Sequence, residues 1–265
     1  MTRMISSSLA GILQELELER PLLVTRDLLS DLKKKYHVAS SVEVVAARLK
    51  KKGWLLSTDI QGVWEFIPAE VAGVYSTNDP LLSFRAFCAK YPTVKSALTF
   101  QTAAWIYGDS DRAPSGVYVS VDEYRCVRLL KEFAFVSVFQ PNLPYHVISN
   151  VTVLARESVI VQMAAKPSFV PSWASVPEWM PGFCAELSPE GVYDELASRS
   201  PFVSQRLGYL IQNMRPDIAD EVFKNTKPKS NAWFGERKQT LRYDKRFMVA
   251  DTHLPFDPRE IGELK

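Results

Sequence analysis

At 265 residues, with 46% hydrophobic and 23% charged side chains, the chain is long enough for a small domain joined to a medium one, each with its own core. These values exclude a fibrous, low-complexity or wholly disordered protein; three cysteines, Cys88, Cys126 and Cys184, far apart and odd in number, argue against a disulfide framework or a paired zinc site. A net charge of +2 is nearly balanced, so only the placement of charges is informative.

The expected compartment is the cytoplasm. The opening stretch is broken by Gln14, Glu15, Glu17 and Glu19 and lacks the apolar run of a signal peptide. The most apolar region, 133–155, is interrupted by Gln140, Pro141, Pro144 and His146, short of the roughly 20 apolar residues that span a bilayer.

In chain order, Leu9, Ile12, Leu13 and Leu16 predict an amphipathic helix over 6–18. After Pro21, Thr25 caps a second helix with Leu28, Leu29, Leu32 and Tyr36 as its apolar stripe and Lys33, Lys34 and Lys35 in its last turn. Ser40 and Glu43 have the spacing of a capping box and predict a third helix running to about Lys52. It turns Val42, Val45, Ala46 and Leu49 inward and Ser41, Glu43, Val44, Ala47, Arg48 and Lys51 outward, and Gly53 ends it. Residues 54–57 and 63–67 read as two strands joined by the polar turn 58–62.

Three short helices closed by a hairpin make a winged helix-turn-helix, with the third helix in the major groove and the hairpin over the adjacent backbone. Residues 33–52 hold seven basic side chains, Lys33, Lys34, Lys35, Arg48, Lys50, Lys51 and Lys52, against Glu43. Lysines there release counterions from phosphates, a short Ser41 can approach base edges, and Arg48 can pair with guanine in two hydrogen bonds. The DNA-binding candidates are Lys34, Lys35, Ser40, Ser41, Val44, Arg48, Lys51, Lys52 and, on the hairpin, Gln61. The alternative use of the same elements is a protein-binding scaffold.

The pattern loosens around Gly73, Ser76, Thr77 and Asn78, which divides the chain into 1–75 and 80–265. Beyond it the sequence predicts helices at 81–90 and 96–107, strands at 117–121, 133–139 and 146–154, and a buried helix at 156–165. The proline- and tryptophan-rich stretch 167–181 predicts no regular element; helices at 189–198, 201–214 and 216–224 and strands at 240–243 and 247–250 complete the chain. The fold class is α+β: a winged helix-turn-helix followed by a larger mixed α/β domain with a small central sheet.

Signs of catalysis are few. There is no phosphate loop, dinucleotide fingerprint or nucleophile elbow, and His37, His146 and His253 share no ligand spacing with each other or with a cysteine, so neither a metal nor another cofactor is expected. Asp109-Ser110-Asp111 offers paired carboxylates for a divalent ion, and with it the alternative of a metal-dependent nucleotidyl-transfer or nuclease enzyme, but it lies just past a helix-ending Gly108 where turn residues belong anyway.

Several strings, in this order behind the third helix, resemble the AbiEi family, the antitoxins of type IV toxin–antitoxin and abortive-infection systems. They are GWLLSTDIQGVWEFIP (53–68), DPLLSFR (79–85), TAAWIYG (102–108), ESVIVQMAAKP (157–167) and SQRLGYL (204–210). The resemblance implies a non-enzymatic autorepressor, monomer or homodimer, that binds inverted repeats in its own promoter. It also implies a C-terminal domain that counteracts a nucleotidyltransferase toxin without a stable complex. By position the groove helix is 41–52 and the wing tip 58–62, where Asp59 and Gln61 stand instead of Arg or Lys. Arg206, Lys224, Lys227, Lys229, Arg237 and Lys238 are the candidate antitoxin or partner surface; a charged edge that is merely solvated is the plainer reading of the basic segment 224–246.

Overall fold

Thr25 joins two elements in the computed structural model, which describes residues 7–71 and 78–262. It ends strand β1 (Leu23–Thr25), and its hydroxyl accepts the Leu28 N–H at 3.2 Å to cap helix α2 (Arg26–Lys35). Helix α1 (Ser7–Glu19) precedes them; α3 (Val42–Lys51) and the strands β2 (Leu55–Ser57) and β3 (Val63–Phe66) follow. The sheet runs β1-β3-β2, antiparallel throughout. Its core takes one stripe from each helix, with Leu16, Leu29 and Leu49 at most 1% exposed, and the sheet side adds Trp54 stacked on Phe66 at 6.5 Å.

β1 was not anticipated, because three residues carry too little alternation to register as a strand. The helix-initiating residue also differs from expectation. The cap is Ser41, whose hydroxyl accepts the Val44 N–H at 3.3 Å, so the Ser40–Glu43 capping box does not form.

The chain divides into two compact units between Val94 and Lys95. Of the residues expected to mark the boundary, only Asn78 is among those described. The division falls later than 75–80 because helix α4 (Leu82–Lys90), expected to open the second domain, packs on β1 and β3 of the first unit.

The second unit is built on strands β4 (Ser96–Leu98), β5 (Val117–Val121), β6 (Ala134–Val138), β7 (His146–Ile148) and β8 (Val151–Val153), in the order β6-β5-β4-β8-β7. β4 pairs antiparallel with β5 and parallel with β8. The predicted helix 96–107 is therefore β4 followed by α5 (Phe100–Tyr107), since a short buried apolar run does not distinguish strand from helix. The predicted strand 146–154 is a hairpin turning at Ser149 and Asn150, both at positive φ. Helix α6 (Tyr124–Leu130) was not foreseen.

Helix α7 (Arg156–Ala165) is buried from Glu157 to Ala164, and its polar side chains are matched from neighbouring elements. Gln162 accepts from Thr99 at 2.5 Å and donates to Ser137 at 2.7 Å, while Ser158 donates to the buried Glu195 at 2.7 Å. The proline-rich stretch forms two 3-10 turns and then helix α8 (Val176–Ala185), which carries Pro181 in its interior. Helices α9 (Pro189–Leu196), α10 (Pro201–Ile211) and α11 (Pro216–Thr226) follow their predicted positions.

A second sheet, β10-β11-β9, joins β9 (Ala232–Phe234), β10 (Arg242–Asp244) and β11 (Val249–Asp251). Gln205 on α10 donates to the carbonyls of Ser230 and Phe247 at 2.9 and 2.8 Å. Three residues on, a Cβ at Gly208 would meet the Phe247 ring at 2.2 Å, so only glycine permits this approach. Gly208→Ala is expected to lower stability by about 1–3 kcal/mol or more, read as a fall in the denaturant midpoint; an unchanged midpoint would mean that ring is not held there.

Burial pushes the Cys184 thiol up to about 12, whereas Cys88 and Cys126 are only half-buried. A thiol reagent should therefore modify Cys88 and Cys126 in the native chain and reach Cys184 only in denaturant. Equal rates at all three would contradict the packing of α8.

Candidate nucleic-acid interface

The outward side of α3 is set by what its inward side buries. Val45, Ala46 and Leu49 are at most 3% exposed, which leaves Ser41, Val44, Ala47, Arg48 and Lys51 in a line along the opposite face at successive three- and four-residue steps. Val44 is 41% exposed in the middle of that line. Lys50, Lys51 and Lys52 are exposed and none forms an ion pair among the described residues. Arg48 reaches the hydroxyl of Ser40 at 3.5 Å, a long contact that leaves most of its donors available.

Glu43, the one carboxylate on this helix, is held below its ordinary range, chiefly by its own backbone N–H and then by the Ser41 hydroxyl. Arg26, the first residue of α2, pairs with it. That pair draws the negative charge away from the α3 face.

Two of the expected cations are otherwise engaged. Lys34 pairs with Asp31 at 3.1 Å. Lys35 pairs with Glu15 of α1 at 2.7 Å, the same carboxylate that accepts the Tyr36 hydroxyl at 2.6 Å. The hydrogen bond from Lys35 holds Glu15 below its ordinary range and raises Lys35 in turn. The Lys35 side chain thus ties helices together as well as adding charge, which spacing within one helix cannot reveal.

At the hairpin turn, Thr58 donates to the Val63 carbonyl at 2.8 Å and Gly62 sits at φ 83°. Gln61 has an exposed side chain, and its carbonyl accepts from Lys90 of α4 at 2.7 Å. Asp59 accepts from Ser83, also on α4. Sequence reasoning missed Arg26 and Lys90 here, since both reach the site from other elements.

In the second unit the candidate cations do not form one cluster of equivalent groups. Arg206 is half-buried, donates to the Phe202 carbonyl at 3.1 Å, and is lowered by burial. Lys224 pairs with Glu221 at 3.4 Å, and Lys227 ends α11 in a left-handed conformation. Lys227, Lys229, Arg237 and Lys238 are exposed and carry no ion pair among the described residues.

Asp109 and Asp111 line one open cleft together with Glu178. Asp109 is taken up by Arg156, whose guanidinium lies 4.3 Å from the ring centre of Tyr107 and 4.8 Å from that of Phe183. Among the described residues no group of three or more His, Cys, Asp or Glu stands close enough to hold a metal ion, and no helix is long and apolar enough to cross a membrane.

The fold is similar to the crystal structure of the RV2827C protein from Mycobacterium tuberculosis, with a TM-score of 0.75 and 19% identity over 95% of this chain and 93% of that one. At that identity the likeness is one of fold. No curated protein matches in sequence. The profile of the AbiEi antitoxin C-terminal domain matches residues 96–213, from the start of β4 to just past α10. Three of the five family-like strings, at 102–108, 157–167 and 204–210, lie inside that match. Residues 96–213 are thus similar to the C-terminal domain of AbiEi antitoxins.

Proposed function

We propose that the first unit is a winged helix-turn-helix that lays α3 in the major groove of double-stranded DNA. On this reading the chain is an autorepressor acting at inverted repeats in its own promoter, and its second unit counteracts a nucleotidyltransferase toxin without a stable complex. What carries the reading is the α3 face: Ser41, Val44, Arg48 and Lys51 in line, with cations at its C-terminal end that have no carboxylate partner among the described residues. Such a line divides the labour of a groove helix. Lys51 and Lys52 take phosphates, Arg48 takes two acceptors of a guanine edge, and Val44 meets a thymine methyl.

The element order supports the same reading, since β2 and β3 form the hairpin that a winged helix lays beside its groove helix. Ser40 and Gln61 flank the face as polar contacts. Lys34 and Lys35 contribute less to this face, because Asp31 and Glu15 offset their charges.

In the second unit, the family supplies the antitoxin role, and the cations Lys227, Lys229, Arg237 and Lys238 supply a surface for an acidic partner.

On a duplex carrying the promoter, Arg48→Ala with Lys51→Ala should weaken binding and flatten the salt slope by about 0.9 for each phosphate that is no longer neutralised. If both affinity and slope stay as in the unaltered chain, α3 is not the DNA-binding face.

Reversing Lys227, Lys229, Arg237 and Lys238 to Glu should abolish protection in cells that express the toxin, with promoter affinity retained. Full protection by the reversed chain would remove that surface from the mechanism.

A further inference from the structure

Helix α4 lies outside the expected winged helix, yet it holds the turn between β2 and β3 at both of its ends. Near its start the Ser83 hydroxyl donates to the carboxylate of Asp59. At its last residue the Lys90 ammonium donates to the Gln61 carbonyl at 2.7 Å. The turn itself brings no cation: its sequence is Thr58-Asp59-Ile60-Gln61-Gly62. α4 therefore engages the turn's negative charge in a hydrogen bond and sets a positive charge on its tip.

Arg26 links the end of that turn to the first turn of α3. The Arg26 N–H donates to the Gly62 carbonyl at 2.9 Å, while the Arg26 side chain pairs with Glu43. A wing tip next to the leading end of a groove helix lies over the strand that borders the groove, where the groups on offer are phosphodiesters. Lys90 is exposed, and forms no ion pair among the described residues. Its ammonium has three donors, of which the Gln61 carbonyl uses one.

We propose that Lys90 is the wing's phosphate contact, supplied to the DNA-binding surface by α4 in place of the cation that the turn lacks. The inference rests on the reading of α3 as the groove helix. It extends the DNA-binding unit past residue 75 to include α4, and the ligand is the sugar–phosphate backbone of a duplex irrespective of its sequence.

The test is a salt titration of the full chain on a random-sequence duplex, followed by fluorescence anisotropy. Lys90→Gln keeps a hydrogen-bond donor for the Gln61 carbonyl but removes the charge. It should flatten the slope by about 0.9, equivalent to a change of roughly three- to fourfold in relative affinity across a fourfold range of salt. Lys90→Arg should restore the slope, which a purely mechanical strap does not require. If Lys90→Gln leaves the slope unchanged while the Arg48, Lys51 double variant flattens it, Lys90 only braces the hairpin and the inference fails alone. If neither variant changes the slope, the reading of α3 fails and takes this inference with it.

Discussion

Burial of Val45, Ala46 and Leu49 fixes the rotation of α3 about its own axis, and the character of the first unit follows from that constraint. A helix whose inward stripe is set has no freedom left in its outward one: a turn of about 100° per residue would carry Leu49 into water and Arg48 into the core, at a cost of several kcal/mol. Trp54 and Phe66 close the same core from the sheet side, so the hairpin and the helix are positioned by one set of contacts. Charged residues can then collect on the outer face of α3 without unsettling it, because its packing is carried by the apolar stripe.

What the sequence made legible was whatever repeats with a helical period. The stripes of α1, α2 and α3, the cap at Thr25 and the buried α7 were all visible as spacing. β1, β4 and the β7–β8 turn were not, because three residues hold less than two periods of alternation and a buried strand lacks a polar face. The candidate site divides in the same way. The line through Ser41, Val44, Arg48 and Lys51 lies on one helix and could be read; Glu15 on Lys35, Arg26 on Glu43 and Lys90 on Gln61 join residues far apart in the chain. Only the fold reveals which of several lysines is committed to a neighbour and which faces water.

The second unit is held by polar groups placed where apolar ones would be expected. Gln162 spans α5's leading Thr99 and the Ser137 of β6, and Glu195, fully buried, accepts from Ser158, from the backbone of Asn142 and Leu143, and from Arg199. Asp251 does the same in the second sheet for Tyr209, Arg242 and the backbone of Leu254. Each group is matched, which is the condition under which buried polar networks specify one arrangement instead of merely weakening a core. Such networks have direction as well as attraction, and they tie α7 and α10 to particular partners.

The close seat of Phe247 on Gly208 also bears on where the antitoxin domain physically ends. The family match stops at residue 213, but the ring that fills the notch over α10, and the two carbonyls that accept from the Gln205 amide nitrogen, come from residues 230–247. Family pattern and mechanical edge thus fall at different places. The closing sheet packs directly on α10, so residues 230–247 belong to the folded core of the matched domain although they lie beyond the family pattern.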